Sequence, residues 1–123
     1  MSQSPNPLVL QAFTYDDRSV ALPAVRSAVT SSGGWILGKK SVSGSALELQ
    51  IEVQHRSMLN LYAALVGSGI ELTRAAHLAL CESCTCTQQM PQRRKEIATV
   101  QLALAFISEL NLASLMQSPT AMA

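Results

Sequence analysis

A stretch near the middle of the chain changes from the period of a strand to the period of a helix. Apolar and polar residues alternate strictly over Leu47–Gln54, which predicts a strand with one apolar and one polar face. From Met58 onward, apolar residues recur three and four positions apart, which predicts a helix over residues 58–67. Ser57 is a suitable cap for that helix. The two elements together predict a strand-to-helix unit.

The segments before this unit fit the same two patterns. Residues 8–15 are apolar on alternate positions of both faces, which predicts a strand in the middle of a sheet. Residues 20–32 carry apolar residues at helical spacing and precede two glycines, which predicts a helix and its end. Residues 35–42 predict a second strand, which forms a hairpin with the third.

The segment 73–89 fits both periods. Its alanines and leucines suit a helix, and the alternation around Leu78 and Leu80 suits a strand. The run Cys84–Thr87 favours a strand, because threonine and cysteine are poor helix formers. We therefore predict a long fourth strand over residues 70–86.

A long helix is predicted near the C-terminus, over residues 91–116. Pro91 is suited to the first turn of a helix. Four apolar residues then follow at spacings of three, four and three: Ile97, Val100, Leu104 and Ile107. A helix this apolar is expected to contact two partners, for instance its own sheet and a second subunit.

The predicted order of elements is β-α-β-β-α-β followed by a C-terminal helix. That order predicts an α+β domain of ferredoxin-like architecture, with a four-stranded antiparallel sheet and both first helices on one face. The first and third strands are expected to be central, and the polar face of the third to point away from the helices. The domain is predicted to span residues 8–116, between flexible tails at 1–7 and 117–123.

Composition narrows the range of partners. Of 123 residues, 48% are apolar and only 14% charged, so we expect some apolar surface to be covered by a second copy in a homodimer. The net charge of +1 provides no field for nucleic acid, which we do not expect as a partner. Neither a signal peptide nor a membrane span is visible in the sequence, so the expected location is the cytoplasm, without membrane contact.

The first helix and its borders resemble a known family. The segment Asp17–Leu22, followed after the helix by Gly33–Ile36, is similar to the opening of an ACT domain, and Gly67–Leu72 resembles that family's return from second helix to fourth strand. The resemblance covers about residues 8–74. ACT domains are small regulatory modules of ferredoxin-like fold that often bind amino acids at a dimer interface.

The resemblance implies dimerisation and a ligand site at the first strand-to-helix turn. Backbone N–H groups at the start of the helix would meet a carboxylate there, and the arginine would add a charge-assisted contact. Val20 stands where the family usually has glycine. The implied ligand-binding residues are Asp17, Arg18, Ser19 and Val20.

One cluster carries side chains that bind soft metals. Four thiol or imidazole groups lie within ten residues: His77, Cys81, Cys84 and Cys86. On the predicted strand they would divide between two faces and could not surround one ion. The favoured interpretation is that they are small residues packed in a strand, and the alternative is a metal or thiol-redox site.

The sequence shows no catalytic constellation. It lacks a Ser-His-Asp context, a phosphate-binding loop and a dinucleotide fingerprint, and we expect no cofactor. We therefore predict a non-enzymatic regulatory or protein-interaction module that binds a small ligand, such as an amino acid, between two subunits. The alternative is a metal-binding or thiol-redox protein that uses the cysteine cluster.

Overall fold

The structure is a computed structural model that describes residues 7–89 and 95–107, apart from the side chains of 86–89. The described chain forms five strands: β1 (Leu8–Thr14), β2 (Trp35–Ser43), β3 (Ala46–Gln54), β4 (Glu71–Leu72) and β5 (Ile97–Phe106). It forms three α-helices: α1 (Arg18–Ser31), α2 (Met58–Gly67) and α3 (Arg74–Gln89). A short 3-10 turn, His55–Ser57, joins β3 to α2.

The strands form one mixed sheet in the order β2-β3-β5-β1-β4. β5 pairs with β1 in parallel and with β3 in antiparallel, while β2 and β4 pair antiparallel at the two edges. The α+β class is confirmed. The predicted ferredoxin-like sheet of four antiparallel strands is not confirmed, because the sheet has five strands and one parallel pair.

The predicted C-terminal helix is wrong over residues 97–106, which form β5. Every second residue of this strand is buried: Ala98, Val100, Leu102, Leu104 and Phe106. The strand lies between two others and also carries alanine and isoleucine on its second face, so apolar residues occur at helical spacings as well. The other parts of the predicted helix, 91–94 and 108–116, lie outside the described residues, as do residues 1–6 and 117–123 of the predicted tails.

The predicted fourth strand over 70–86 is also wrong, since only Glu71–Leu72 is extended and the helix α3 follows. Ala76 and Leu80 are buried one helical turn apart. The hydroxyl of Thr85 donates to the carbonyl of Cys81 at 2.9 Å, four residues earlier. That bond satisfies the threonine inside a helix, so a β-branched residue there does not force an extended backbone.

The central predictions are confirmed. Residues 35–54 form the predicted hairpin, and α2 spans the predicted residues 58–67. The alternating residues of β3 and the stripe of α2 join one core: Leu47, Leu49, Ile51, Val53, Met58, Leu61 and Leu65. Gly33 and Gly69 follow α1 and α2 with φ of 92° and 97°, a backbone region in which glycine is favoured.

All three helices contribute buried residues to the core on one face of the sheet. No described helix packs on the other face, which we call the open face. It consists of alternate residues of the five strands, including Trp35, Gly38, Lys40, Glu48, Gln50, Glu52, Thr99, Gln101, Ala103, Ala105, Val9, Gln11, Phe13 and Glu71. As predicted, β1 and β3 are interior strands and the polar face of β3 points away from the helices, although β5 separates the two strands.

Candidate functional site

The first strand-to-helix turn is held by its own backbone. Asp17 precedes α1, and its carbonyl accepts hydrogen bonds from the backbone N–H groups of Val20 and Ala21 at 3.0 and 2.8 Å. The backbone N–H of Asp16 donates to the hydroxyl of Thr14 at 3.1 Å. Ser19 and Val20 are exposed. Asp17 is exposed as well, so the predicted ligand-binding turn is present and open to solvent at three of its four positions.

Arg18 has a structural role that sequence reasoning missed. One guanidinium nitrogen donates to the carbonyl of Gly44 at 2.8 Å, and the guanidinium carbon lies 4.7 Å from the ring centroid of Phe106. The second contact is a cation–π interaction. Both partners are far away in the sequence, so no local pattern indicates them. A role for Asp17, Arg18, Ser19 and Val20 in ligand binding stays a prediction.

A second group of polar side chains lies where α2 meets α3, and we call it the thiol cluster: Tyr62, His77, Cys81 and Cys84. Because residues 74–89 are helical, His77, Cys81 and Cys84 follow at intervals of four and three along one stripe. The predicted strand had divided them between two faces. Tyr62 comes from α2 and was not identified from the sequence as a member. The side chain of Cys86 lies outside the described part.

Two hydrogen bonds connect the thiol cluster. The Cys81 thiol lies 4.0 Å from the hydroxyl oxygen of Tyr62 and donates to it. The same oxygen lies 2.6 Å from Nδ1 of His77. The imidazole tautomer sets which of the two groups donates in the Tyr62–His77 bond. The three side chains therefore form a hydrogen-bonded chain of thiol, phenol and imidazole.

The surroundings raise the pKa of two members of the cluster. Burial raises the pKa of the Tyr62 phenol, and the neighbouring Cys81 and Cys84 thiols add to that effect. Burial also raises the pKa of the Cys84 thiol, with a smaller contribution from the neighbouring Cys81. Cys84 is half-buried and packs against the core, whereas Cys81 is exposed. The two thiols therefore have different access to solvent.

The thiol cluster does not form a metal site from its described side chains. Among residues 7–85 and 95–107, no three His, Cys, Asp or Glu side chains are arranged to hold one ion. The phenol, moreover, occupies Nδ1 of His77. What remains is a pair of thiols three residues apart on one helix, beside a Tyr–His hydrogen bond.

The open face is a surface on which no described helix packs. Val9 and Trp35 are 56% and 43% exposed on it. Beside Gly38, which has no side chain, the face has a polar depression of about 250 Å³. The depression is lined by Gly38, Lys39, Lys40, Glu48, Gln50 and Gln101.

Comparison with known proteins gives no relative from which a role can be transferred. No protein-family model, no curated protein and no solved structure matches the chain. Among the described helices, none combines the length and the apolar character needed to cross a bilayer. Function therefore has to be argued from the surfaces and side chains of this chain alone.

Proposed function

We propose that the chain is a non-enzymatic interaction module that pairs with a second copy of itself through the open face. The observation that carries this proposal is the one-sided helix layer: three described helices cover one face of a five-stranded sheet and leave the other uncovered. Antiparallel sheets often leave one face in water, but such faces are usually polar throughout. This one mixes charged, amide, small and large apolar side chains.

The middle of the open face suits a close approach of two sheets. Ala103 and Ala105 of β5 and Ala46 of β3 are small and only half exposed. Beside them, Gln50 and Gln101 lie opposite each other in register. An amide both donates and accepts, so the Gln101 side chains of two copies can satisfy one another across a two-fold axis along β5. A self-complementary centre is what a symmetric dimer needs.

The two edges of the open face carry opposite charge. Lys40 lies on β2 at one edge, and Glu71 lies on β4 at the other, and both are exposed. A two-fold axis along β5 places β2 of one copy over β4 of the other, so that each Lys40 meets Glu71 of the second copy. Charge complementarity of this kind orients an interface. The proposal therefore commits to β5 facing β5.

The depression beside Gly38 gives the dimer a place for a small ligand. Lys40 and Glu48 are paired in register on adjacent strands at its border. An ammonium and a carboxylate side by side suit the carboxylate and ammonium groups of a free amino acid. We propose that pairing of the open faces encloses this depression and that an amino acid binds in it, in keeping with the ACT-like resemblance of the sequence.

Light scattering tests the dimer. The wild-type chain is expected to show twice its mass of 13.1 kDa at micromolar concentration. Ala103→Arg places two cations next to the axis and is expected to give the monomer. Ala63→Arg, on the exposed side of α2, is the matched control and should remain dimeric. A monomeric wild-type chain, or equal masses for both variants, contradicts the proposal.

Charge exchange tests the orientation of the two copies. Lys40→Glu and Glu71→Lys each place like charges across the interface and should raise the dissociation constant, while the double variant should restore it. Arg26→Glu on the outer side of α1 provides the control for a simple change in net charge. If the dissociation constant of the double variant is raised by the effects of both single variants combined, β2 does not lie over β4 of the second copy.

A thermal-shift screen with the common amino acids tests the ligand. A ligand at 100 times its dissociation constant stabilises the folded state by about 2.7 kcal/mol. Gly38→Leu fills the depression and should abolish the shift, whereas Gly44→Leu, in the exposed hairpin turn, should retain it. No shift for any amino acid leaves the dimer without this ligand.

A further inference from the structure

We propose that Cys81 and Cys84 form a dithiol that undergoes thiol–disulfide exchange, with Cys81 as the attacking sulfur and Cys84 as the resolving sulfur. The pair reads Cys81-Glu82-Ser83-Cys84, a Cys-x-x-Cys spacing within α3. Such a spacing with no second pair of distant ligands indicates redox chemistry rather than zinc binding. The site lies in the helix layer, so it is independent of the open face.

The helical spacing places the Cα atoms of Cys81 and Cys84 at a separation that a disulfide can span. Residues three apart in an α-helix have Cα atoms about 5 Å apart, inside the usual range for a disulfide. Their Cβ atoms are about 5–6 Å apart and must approach to about 4 Å when the bond forms. Cys81 and Cys84 lie in the later part of α3, where a small change of the helix can provide that approach.

The exposure of the two thiols divides their roles. Cys81 is exposed, so an external disulfide can reach it. Cys84 is half-buried against the core, and burial raises the pKa of its thiol, so external reagents reach it less easily than Cys81. In thiol–disulfide exchange the accessible sulfur attacks first and a neighbouring sulfur then closes the intramolecular bond.

The Tyr62–His77 pair provides the proton acceptor that an attacking thiol needs. The thiol of Cys81 donates to the hydroxyl of Tyr62, and that hydroxyl is 2.6 Å from Nδ1 of His77. In the tautomer that has its proton on Nε2, Nδ1 of His77 accepts from Tyr62, and transfer of both protons along the chain leaves Cys81 as a thiolate and His77 as an imidazolium. The thiolate is the reactive form of cysteine. Tyr62 and His77 are thus positioning residues for Cys81.

The reaction balances with one external disulfide as the oxidant. The Cys81 thiolate attacks a sulfur of a low-molecular-weight disulfide, forms a mixed disulfide and releases one thiolate. The Cys84 thiol then loses its proton and attacks the sulfur of Cys81, which releases the second thiol. The protein loses two protons and two electrons, and the external disulfide gains them. The reverse sequence reduces an oxidised protein.

The experiment uses the full chain with Cys86→Ser, so that the third cysteine cannot contribute a sulfur. Incubation with oxidised glutathione is followed by intact mass and peptide mapping. The expected product has lost two hydrogens and contains a Cys81–Cys84 bond. Adding Cys84→Ser should trap glutathione on Cys81, whereas adding Cys81→Ser should leave Cys84 unmodified. Glutathione bound equally to either single cysteine, or no intramolecular bond, overturns the proposal.

The rate of Cys81 alkylation tests the Tyr–His pair in the Cys84→Ser, Cys86→Ser background. Tyr62→Phe is expected to slow alkylation at neutral pH about tenfold, the effect of removing one hydrogen bond to a charged group. His77→Gln removes the imidazole at the end of the chain and should change the shape of the pH–rate profile. Tyr15→Phe, an exposed tyrosine outside the cluster, is the control. Rates and profiles that do not differ from the control overturn the role of Tyr62 and His77.

Discussion

The guanidinium of Arg18 lies over the aromatic ring of Phe106, 4.7 Å from the ring centroid. Arg18 is the first residue of α1, and Phe106 is the last residue of β5, so the contact joins the beginning of the helix layer to the end of a central strand. The same guanidinium binds the carbonyl of Gly44 in the β2–β3 turn. One side chain therefore connects three separate parts of the chain.

Replacing Arg18 tests that connection. Arg18→Ala removes a cation–π contact and a hydrogen bond, and we expect the free energy of unfolding to fall by about 1–2 kcal/mol. Urea denaturation measures the change. Arg26→Ala, on an exposed side of the same helix, should change it by less than about 0.5 kcal/mol. Equal losses in the two variants contradict a structural role for Arg18.

The same variant addresses the predicted ligand site at the first turn. If an amino acid binds to Asp17, Arg18, Ser19 and Val20, the thermal shift that it causes should disappear in Arg18→Ala and persist in Gly38→Leu. If the amino acid binds in the depression of the open face, the thermal shift should persist in Arg18→Ala and disappear in Gly38→Leu. The comparison assigns any ligand to one of the two places.

Alanine substitutions at Gly34 and Gly38, before and in β2, are expected to affect the stability of the fold differently. A Cβ added to Gly34 would lie 2.9 Å from the backbone carbonyl oxygen of Glu52 and 3.3 Å from Cβ of Val53, so Gly34→Ala forces the hairpin to shift. We expect a loss of about 1–3 kcal/mol, typical of overpacking. A Cβ added to Gly38 meets nothing within 4 Å, and Gly38→Ala should be nearly neutral in the same denaturation measurement.

Leu49 tests the register of β3. It is buried at 3% exposure between the sheet and the helices, so Leu49→Ala should lower the free energy of unfolding by about 2–5 kcal/mol. Leu37, at a register irregularity of the edge strand β2, is half exposed, and Leu37→Ala is the matched control with a much smaller loss. A larger loss at Leu37 than at Leu49 would contradict this register.

Alkaline pH should weaken the fold through Cys84. Burial, followed by the nearby Cys81, raises the pKa of the Cys84 thiol above its ordinary value of 9.0. The folded state thus holds the proton more tightly than the unfolded chain, so this contribution to stability is complete below pH 9.0 and is lost as pH rises through the folded-state pKa. Denaturation across this range should show a steeper decline for the wild type than for Cys84→Ala. Parallel declines contradict the shift.

Sequence pattern predicted β3 and α2 correctly because each has one buried face. In β3 the buried leucine, isoleucine and valine residues alternate with glutamate and glutamine, so a single period fits. In α2 the buried Met58, Leu61 and Leu65 leave the rest of the surface outside the core, and again a single period fits. Patterning is informative where only one side of an element meets the core.

The same reasoning was wrong for β5 and α3, whose environments are decided by distant segments. β5 pairs with β1 and β3 along its two edges, and no local residue indicates either partner. The spacing of two between Val100, Leu102 and Leu104 is visible in the sequence and is typical of a strand. Other apolar residues at helical spacings favoured a helix instead. In α3, Thr85 suggested a strand although its hydroxyl bonds to the preceding turn.

The candidate sites depend even more on packing of distant segments. The sequence identified His77, Cys81 and Cys84 as chemically notable, but the predicted strand separated them. Tyr62 joins them only because α2 packs against α3, although Tyr62 and His77 are fifteen positions apart in the sequence. The open face likewise combines residues of all five strands. Local pattern shows which groups are present, and the tertiary contacts decide which of them meet.

The position of β5 has a consequence for synthesis of the protein on the ribosome. β1 and β3 do not pair directly, because β5 separates them, so the sheet cannot close until residues 97–106 have emerged. Until then, a growing chain contains two separate parts of the sheet, the β2–β3 hairpin and the β1–β4 pair. Each part has a strand of apolar residues whose backbone N–H and C=O groups are unpaired along one edge. Such edges recruit other chains. We expect nascent chains stalled before residue 97 to bind chaperones. We expect the chaperones to dissociate abruptly once β5 is complete.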